Sequence, residues 1–230
     1  MVKSRRLVNN RDMSKKKWTA VDHYIDSTLA PSDAALDAAL ESAKAAGLPQ
    51  ISVTASQGKL LYLLAKAQGA KRILEIGTLG GYSTIWMARA LTEGGKLVTV
   101  EADPKHAQVA LENIARAGLA DAVELRQGKA LDILPEVEGP FDLIFIDADK
   151  RNNARYFEWA LKLSRKGTLI IVDNVVREGE ILDVDSTDPD IRGTRELFEM
   201  IAAEPRVIAT AQQTVGSKGH DGFAIALVTG

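Results

Sequence analysis

Two apolar stretches that each end in acidic or amide residues constrain the fold of this 230-residue chain more than any other feature. The first, FDLIFIDADK, spans residues 141–150, and the second, TLIIVDNV, spans residues 168–175. Runs rich in Ile, Leu, Phe and Val that are separated by a helix-length segment are typical of buried parallel strands in a β-α-β unit. Since ligands gather at the carboxyl ends of such strands, Asp147, Asp173 and Asn174 are predicted to converge.

Asp147, Asp173 and Asn174 together offer only oxygen ligands. Two carboxylates and an amide oxygen suit Mg²⁺ or a similar divalent cation. Three protein ligands leave octahedral positions for water and a substrate, which favours a catalytic site. Any one of these residues alone could instead cap the helix that follows its strand. The occurrence of all three at one edge of the sheet favours a metal site.

Strand-like and helix-like segments alternate along the rest of the chain. Two helices are expected between about Thr19 and Ala46, broken near Pro31, and a third is expected over Ser56–Gln68. The last two strands are predicted to form a hairpin, so that the final strand runs antiparallel to its neighbours. The predicted strands are Arg72–Ile76, Leu97–Glu101, Val123–Arg126, Leu143–Ile146, Leu169–Val172, Val207–Ala211 and Phe223–Val228. This order predicts one α/β domain with a seven-stranded, mostly parallel sheet.

The composition of the chain indicates the size of its core and the cellular compartment in which it is expected. The chain is 46% hydrophobic, which is enough for one ample core, and it contains no cysteine. The absence of cysteine excludes disulfides, thiolate metal sites and cysteine nucleophiles, and it fits a reducing cytoplasm. No segment resembles a membrane span, and Asp22 and Asp26 interrupt the stretch in which a signal peptide would need its apolar region. A cytoplasmic protein is expected.

Charge is distributed unevenly along the chain. Residues 1–17 carry seven Lys or Arg and one acid, whereas residues 18–230 carry 22 Lys or Arg and 30 acids. We expect residues 1–17 to form a basic, flexible arm and residues 18–230 to form the single domain. The arm could contact nucleic acid or an anionic substrate, or it could dock on the acidic body.

A glycine-rich turn follows the first predicted strand. The sequence EIGTLGGYS starts at Glu75 and lacks the spacing G-x-G-x-x-G that is typical of dinucleotide-binding proteins. Glu101 ends the second strand, where a carboxylate can accept hydrogen bonds from both hydroxyls of a ribose. A carboxylate at Glu75 could hold a cationic amino group. These features together indicate a nucleoside cofactor such as S-adenosylmethionine.

Six motifs resemble one known family. LEIGTLGGYS, VEADP, GKALDILP, FDLIFIDADK, IVDN and DGFAIALV are similar to segments of the cation-dependent O-methyltransferases, which include catechol and caffeoyl-CoA O-methyltransferases and small bacterial relatives. The resemblance runs from about Trp18 to Val228. It implies a Rossmann-like, S-adenosylmethionine-dependent methyltransferase fold with extra N-terminal helices, and it implies a homodimer.

The same resemblance assigns roles to particular residues. It implies that Asp147, Asp173 and Asn174 hold Mg²⁺ or another divalent cation such as Mn²⁺ or Ca²⁺, and that Lys150 is the catalytic base. Lys150 could take the proton of a hydroxyl if the neighbouring metal charge favours its neutral form. Asp149 could orient a ligand or water, or be simply exposed. The residues implied to line the S-adenosylmethionine site are Val53, Glu75, Gly77, Thr78, Ser83, Glu101, Ala130 and Asp147.

The acceptor of the methyl group is the least constrained part of this interpretation. Plant members that bind a CoA ester show a pattern similar to D-N-T-L-W-N after the metal ligands, whereas this chain reads DNVVRE from Asp173. That departure favours a smaller catechol-like diol, such as a phenolic, phenylpropanoid or flavonoid. A tRNA wobble-uridine hydroxyl is an alternative acceptor, although the acidic body argues against an extended RNA surface.

Two other classes of function remain open at this point. An NAD-dependent oxidoreductase would use the same β-α-β start and Glu101, but it would give Asp147, Asp173 and Asn174 no role. A non-catalytic S-adenosylmethionine-binding module would share the cofactor site without turnover. The candidate dimer contacts Tyr156, Phe157, Trp159 and Leu161 could equally be buried within one chain.

Overall fold

A seven-stranded sheet with helices on both faces forms the centre of the molecule. The computed structural model describes residues 3–230, with side chains from residue 13 onward. The strands are β1 (Arg72–Ile76), β2 (Lys96–Glu101), β3 (Val123–Gln127), β4 (Phe141–Ile146), β5 (Ser164–Asp173), β6 (Val207–Gly216) and β7 (Gly219–Val228). The helices are α1 (Lys3–Leu29), α2 (Ala34–Ala45), α3 (Ala55–Ala67), α4 (Tyr82–Ala88), α5 (Pro104–Arg116), α6 (Ala130–Ile133), α7 (Asn153–Lys162) and α8 (Pro189–Ala203). Single turns of 3₁₀ helix lie at Leu134–Glu136 and Lys150–Asn152, and a longer, kinked 3₁₀ segment covers Arg177–Leu182.

The strands lie in the order β3-β2-β1-β4-β5-β7-β6. Neighbours pair in parallel from β3 to β5, whereas β7 pairs antiparallel with both β5 and β6. The predicted seven-stranded, mostly parallel sheet with an antiparallel C-terminal strand is confirmed. The strand order reverses between β1 and β4, which is where ligands bind in open α/β sheets.

Alternation along each strand divides the core into two layers. On β4, Ile144 belongs to the cluster that contains Phe157 of α7, whereas its neighbour Phe145 belongs to the cluster that contains Ile85 of α4. All four side chains are fully buried, and each contributes roughly 1.5–3 kcal/mol relative to an exposed position. The sheet is therefore covered on both faces, and its carboxyl edge is left for a site.

The helices before the sheet begin and end where polar caps and breakers occur. Asp33 caps α2 by accepting hydrogen bonds from the backbone N–H groups of Ala35 and Leu36. The predicted break near Pro31 is confirmed, but the first helix starts at Lys3 rather than at Thr19. No glycine or proline lies between Lys3 and Leu29, so nothing in the sequence ends the helix. The predicted basic arm, residues 1–17, lies largely outside the residues whose side chains are described.

Two acids one turn apart on α1 connect this helix to separate parts of the domain. Asp22 Oδ2 accepts a hydrogen bond from the backbone N–H of Ser217, 2.6 Å away, in the turn between β6 and β7. Asp26 Oδ1 accepts from the backbone N–H and the hydroxyl of Ser56, at 3.0 and 2.6 Å, at the start of α3. Both contacts lie at the carboxyl edge of the sheet. Among residues 3–230, no helix is long and apolar enough to cross a membrane.

Candidate active site

The turn after β1 approaches the end of β4 very closely at Gly77. A Cβ atom on Gly77 would lie 2.2 Å from the carbonyl oxygen of Asp147, and its φ of +102° is unfavourable for other residues. The backbone N–H of Asp147 donates to the carbonyl oxygen of Ile76 at 2.8 Å. The glycine therefore lets the glycine-rich turn and the acidic end of β4 border the same cavity.

Glu101 holds the glycine-rich turn in place. Its Oε2 atom accepts hydrogen bonds from the backbone N–H groups of Thr78 and Leu79, at 3.2 and 2.7 Å, and its Oε1 atom accepts from Asp103 at 2.9 Å. Only 8% of Glu101 is exposed. Leu79 has a φ of 49°, a conformation that these contacts help to fix. A carboxylate offers about four lone-pair sites, so Oε1 keeps capacity for a ligand hydroxyl.

Glu75 is completely buried beneath the turn. Its carboxylate accepts hydrogen bonds from three hydroxyl groups, those of Ser83 at 2.6 Å, Thr84 at 2.5 Å and Thr99 at 2.7 Å. Burial raises its pKa to about 7, although the three hydroxyls oppose the rise. Glu75 does not line the cavity, so it acts on the site through Ser83, and its predicted contact with a cofactor stays a prediction.

A lysine and two carboxylates meet where β4 and β5 end. The buried Lys150 Nζ donates to Asp147 Oδ1 at 2.6 Å. Asp173 is also buried, and its Oδ1 accepts from the backbone N–H of Asn174 at 2.8 Å. Burial, and then the charge of Asp147, raise the pKa of Asp173 well above its usual range. The site therefore holds more negative charge than Lys150 alone compensates.

Asp149 faces the cavity and is engaged by two donors. The hydroxyl of Tyr156 donates to Oδ1 and the amide of Asn152 donates to Oδ2, both at 2.5 Å. Burial and the acceptor Asp149 raise the pKa of Tyr156, so its hydroxyl stays protonated. Asp149 is exposed, as one of its two expectations has it, and its two donors hold it at the edge of the cavity, so its role in orienting a ligand or water stays a prediction.

A cavity of about 770 Å³ collects these groups. All predicted metal ligands, Lys150 and every predicted cofactor residue except Glu75 line it; the cofactor residues are Val53, Gly77, Thr78, Ser83, Glu101, Ala130 and Asp147. Among the side chains from residue 13 onward, no three His, Cys, Asp or Glu form a metal-binding group, so the predicted ligand set depends on the amide of Asn174.

Several lining residues are missing from the sequence prediction. His106 lines the cavity, with Nδ1 3.6 Å from Glu101 Oε1. Arg177, Lys218 and Asp221 come from the segment after β5 and from the β6–β7 hairpin. The motif DGFAIALV pointed to the hairpin without giving its Asp221 a role. Arg177 follows the end of β5 directly, whereas Lys218 and Asp221 are brought to the cavity by the antiparallel pairing of β7 with β5.

Comparison with known proteins identifies the family of this site. The sequence model of a family described as O-methyltransferase matches residues 26–226. The chain belongs to the O-methyltransferase family. The resemblance carried by the sequence motifs is therefore confirmed, and the oxidoreductase alternative is replaced.

Three relatives of this O-methyltransferase illustrate the match. A catechol O-methyltransferase of Niastella koreensis is 54% identical over 220 residues, which covers 94% of this chain and all of the relative. The crystal structure of the Bacillus cereus O-methyltransferase in complex with SAH is 59% identical with a TM-score of 0.92, covering 94% of this chain and 100% of that one. TomG of Streptomyces achromogenes, an O-methyltransferase involved in tomaymycin synthesis and solved with SAM, is 49% identical with a TM-score of 0.92, covering 94% and 99%.

The raised pKa of Glu75 predicts how stability depends on pH. The folded protein binds the proton of Glu75 more tightly than the unfolded chain does. The contribution of Glu75 to the free energy of unfolding therefore falls as the pH rises from 4.5, the ordinary pKa of a glutamate, towards about 7, its pKa in the folded protein. We expect Glu75→Gln to match the wild type near about pH 5 and to exceed it by up to about 3 kcal/mol near about pH 8. Urea unfolding of both proteins at both pH values measures the difference. Asp173 titrates in both proteins, so equal differences at the two pH values would contradict the assignment to Glu75.

Proposed function

We propose that this O-methyltransferase is S-adenosylmethionine-dependent and divalent-cation-dependent, and that it methylates a hydroxyl of a small catechol-like diol. One observation carries the proposal. The carboxylates of Asp147 and Asp173 and the amide of Asn174 come from the ends of two neighbouring strands and line the same cavity as Glu101 and the glycine-rich turn. A cation site and a nucleoside site thus share one space.

The glycine-rich side of the cavity suits S-adenosylmethionine. Glu101 Oε1 keeps capacity for a ribose hydroxyl, and the backbone at Gly77 and Thr78 lies open to the cavity without bulky side chains. Ser83, Ala130 and Val53 also line this cavity. The relatives solved with SAH and SAM support this choice of cofactor.

The acidic side suits a hard divalent cation, with Mg²⁺ as our first choice and Mn²⁺ or Ca²⁺ as alternatives. The raised pKa of Asp173 reflects its own burial first and the nearby charge of Asp147 second, and Lys150 is a cationic partner of both acids. A bound cation would relieve that charge, and Asp147, Asp173 and Asn174 would be its ligands. When bound, the cation supplies a Lewis acid that makes an acceptor hydroxyl acidic at neutral pH.

The residues of the chain then divide the remaining work. Methyl transfer from a sulfonium to an oxygen is an in-line displacement, so the cavity must hold donor and acceptor in alignment. Lys150 Nζ, buried beside Asp147, is the amine placed to accept the hydroxyl proton when it is neutral. Tyr156 and Asn152 fix Asp149 at the edge of the same space.

A small diol agrees better with this chain than a CoA ester. The segment after Asp173 lacks the pattern expected of plant members that bind CoA esters, and the catechol O-methyltransferase of Niastella koreensis is a relative over its whole length. Both support a phenolic, phenylpropanoid or flavonoid diol. A methyl-transfer assay with catechol separates this proposal from a non-catalytic binding module, which predicts cofactor binding without any methylated product.

Removal of the cation is expected to abolish activity. EDTA should stop methylation of catechol, and added Mg²⁺ should restore it. Asp173→Asn, which keeps the shape of the side chain but removes its charge, should lower kcat/KM about 100-fold or more, since even partners of metal ligands are worth about 10–100-fold. Asp121→Asn, in an exposed turn before β3, is the matched control. Undiminished turnover by chelated protein that is metal-free by elemental analysis would refute the cation dependence.

Loss of the Glu101 carboxylate is expected to weaken cofactor binding. Hydrogen bonds to charged groups contribute roughly 1.5–3 kcal/mol, so Glu101→Ala should weaken S-adenosylmethionine about tenfold to 100-fold by calorimetry. Glu124→Ala on β3 removes an exposed carboxylate as a control. NAD should not bind the wild-type protein measurably. Unchanged S-adenosylmethionine affinity in folded Glu101→Ala would remove the ribose assignment.

We propose in addition that the enzyme is a homodimer. Tyr156 and Phe157, predicted as dimer contacts, are instead buried within the chain, and Trp159 and Leu161 pack against the same core. Large apolar side chains are exposed elsewhere, namely Met13, Val21, Tyr24 and Leu29 on α1 and Ile208 and Val215 on the edge strand β6.

Light scattering at micromolar concentration should give twice the chain mass of 24.8 kDa. Tyr24→Glu is expected to shift the mass towards one chain, because a charge on an apolar contact is costly to bury. Thr19→Glu, on the same helix, is the control for added charge. A wild-type mass equal to one chain would contradict the dimer.

A further inference from the structure

The turn between β6 and β7 places a lysine over the active-site cavity. This turn consists of Ser217 and Lys218, and Lys218 lines the 770 Å³ cavity together with the proposed cation ligands. Part of Lys218 remains exposed at the mouth of the cavity. Neither the cofactor site nor the cation site uses it.

Carboxylates hold this turn from two sides. Asp22 Oδ2 on α1 accepts from the backbone N–H of Ser217 at 2.6 Å, and Glu178 Oε1 accepts from the backbone N–H of His220 at 2.9 Å. The backbone on either side of Lys218 is therefore fixed by hydrogen bonds that come from two separate segments of the chain.

Glycines on both sides of the turn make these contacts possible. A Cβ on Gly216 would lie 2.5 Å from Asp22 Oδ2, and one on Gly219, where φ is +109°, would lie 2.2 Å from Glu178 Oε1. Any other residue at either position would push a carboxylate away. The position of Lys218 is thus set by four residues, which is more support than an incidental surface lysine receives.

A second cation lies on the same side of the cavity. Arg177 lines it, and its Nε–H is buried without a hydrogen-bond partner among the described residues. The Arg177 backbone adopts a φ of 54° and donates its N–H to Asp221 Oδ1 at 3.0 Å, which holds the residue at the start of the 3₁₀ segment. A buried donor without a partner is costly unless a ligand satisfies it.

Apart from Asp173, which belongs to the proposed cation site, the acids that face these two cations are engaged by protein donors. Asp147 is paired with Lys150, and Asp221 Oδ1 accepts three backbone N–H groups. On the opposite wall, Asp149 accepts from Tyr156 and Asn152, and Asp190 accepts from Arg151. Burial lowers the pKa of the Lys218 amine below its usual range, although the charges of Asp147 and Asp173 oppose that change.

We propose that Lys218 and Arg177 form an anion subsite that selects acceptor diols carrying a carboxylate over neutral or cationic diols. The inference rests on the proposed function, because the diol must sit at the cation site for its substituent to reach the hairpin. Both cations can donate charge-assisted hydrogen bonds to a carboxylate, and the guanidinium can do so in a planar geometry. A lysine that only compensated the negative charge of Asp147 and Asp173 would change kcat/KM for every acceptor by a similar factor.

Charge selectivity is the decisive measurement. Initial rates with protocatechuate, catechol and dopamine, at saturating S-adenosylmethionine and Mg²⁺, give kcat/KM for an anionic, a neutral and a cationic diol. The wild type should prefer protocatechuate. In Lys218→Met the ratio of kcat/KM for protocatechuate to that for catechol should fall about tenfold or more, mainly through KM. Lys218→Arg should retain the preference, and Arg177→Gln should reduce it.

A matched control separates local from general effects of charge. Lys166→Met removes one positive charge near the start of β5, at the opposite edge of the sheet, and should leave the ratio unchanged. Turnover of all three diols without preference for protocatechuate, or a preference that persists in Lys218→Met, would overturn the inference alone. Absence of methyl transfer to every diol would overturn the proposed function and the inference with it.

Discussion

The contact between Gly77 and the backbone of Asp147 is the constraint on which the rest of the site depends. Because β1 and β4 are direct neighbours at the point where the strand order reverses, their following turns must leave in different directions from almost the same place. The absence of a side chain at Gly77 allows this separation. One turn then leads to the side of the cavity proposed for the cofactor, and the other leads to the side proposed for the cation.

The carboxylates on the two sides of that contact differ in how many hydrogen bonds they accept from the protein. The carboxylate of Glu75 accepts hydrogen bonds from three hydroxyl groups, and that of Glu101 accepts from three backbone N–H groups. They give the glycine-rich turn a fixed shape before any ligand binds. Asp147 and Asp173 have fewer protein donors, so they retain unsatisfied negative charge. The first pair is suited to preorganisation, and the second pair is suited to binding a cation.

Local sequence patterns were sufficient for the parts of the structure that local chemistry decides. Apolar runs located all seven strands, although β5 and β7 begin five and four residues earlier than predicted and β6 ends five residues later. The acids that follow the strands located the cavity edge, because the carboxyl ends of parallel strands must coincide. The start of α1 was missed because the basic segment was interpreted from its charge as a flexible arm, although it contains no residue that breaks a helix. The burial of Glu75 was missed because it depends on hydroxyls from α4 and β2. Lys218 could not be placed, since only the pairing of β7 with β5 brings it to the site, and Arg177 was missed although it directly follows β5.

Asp22 and Asp26 connect helix α1 to two segments that border the active-site cavity, although α1 itself carries none of the proposed catalytic residues. Asp22 holds the turn that carries Lys218, and Asp26 holds the start of α3, whose Gln57 borders the cavity. The helix therefore fixes two segments that lie on different sides of the cavity mouth, the β6–β7 turn and the start of α3. Substitutions in α1 alone would move these two segments and so change which acceptors bind, while the strands and their acidic residues stay the same. Divergence in the N-terminal helix among relatives would then be a record of acceptor choice.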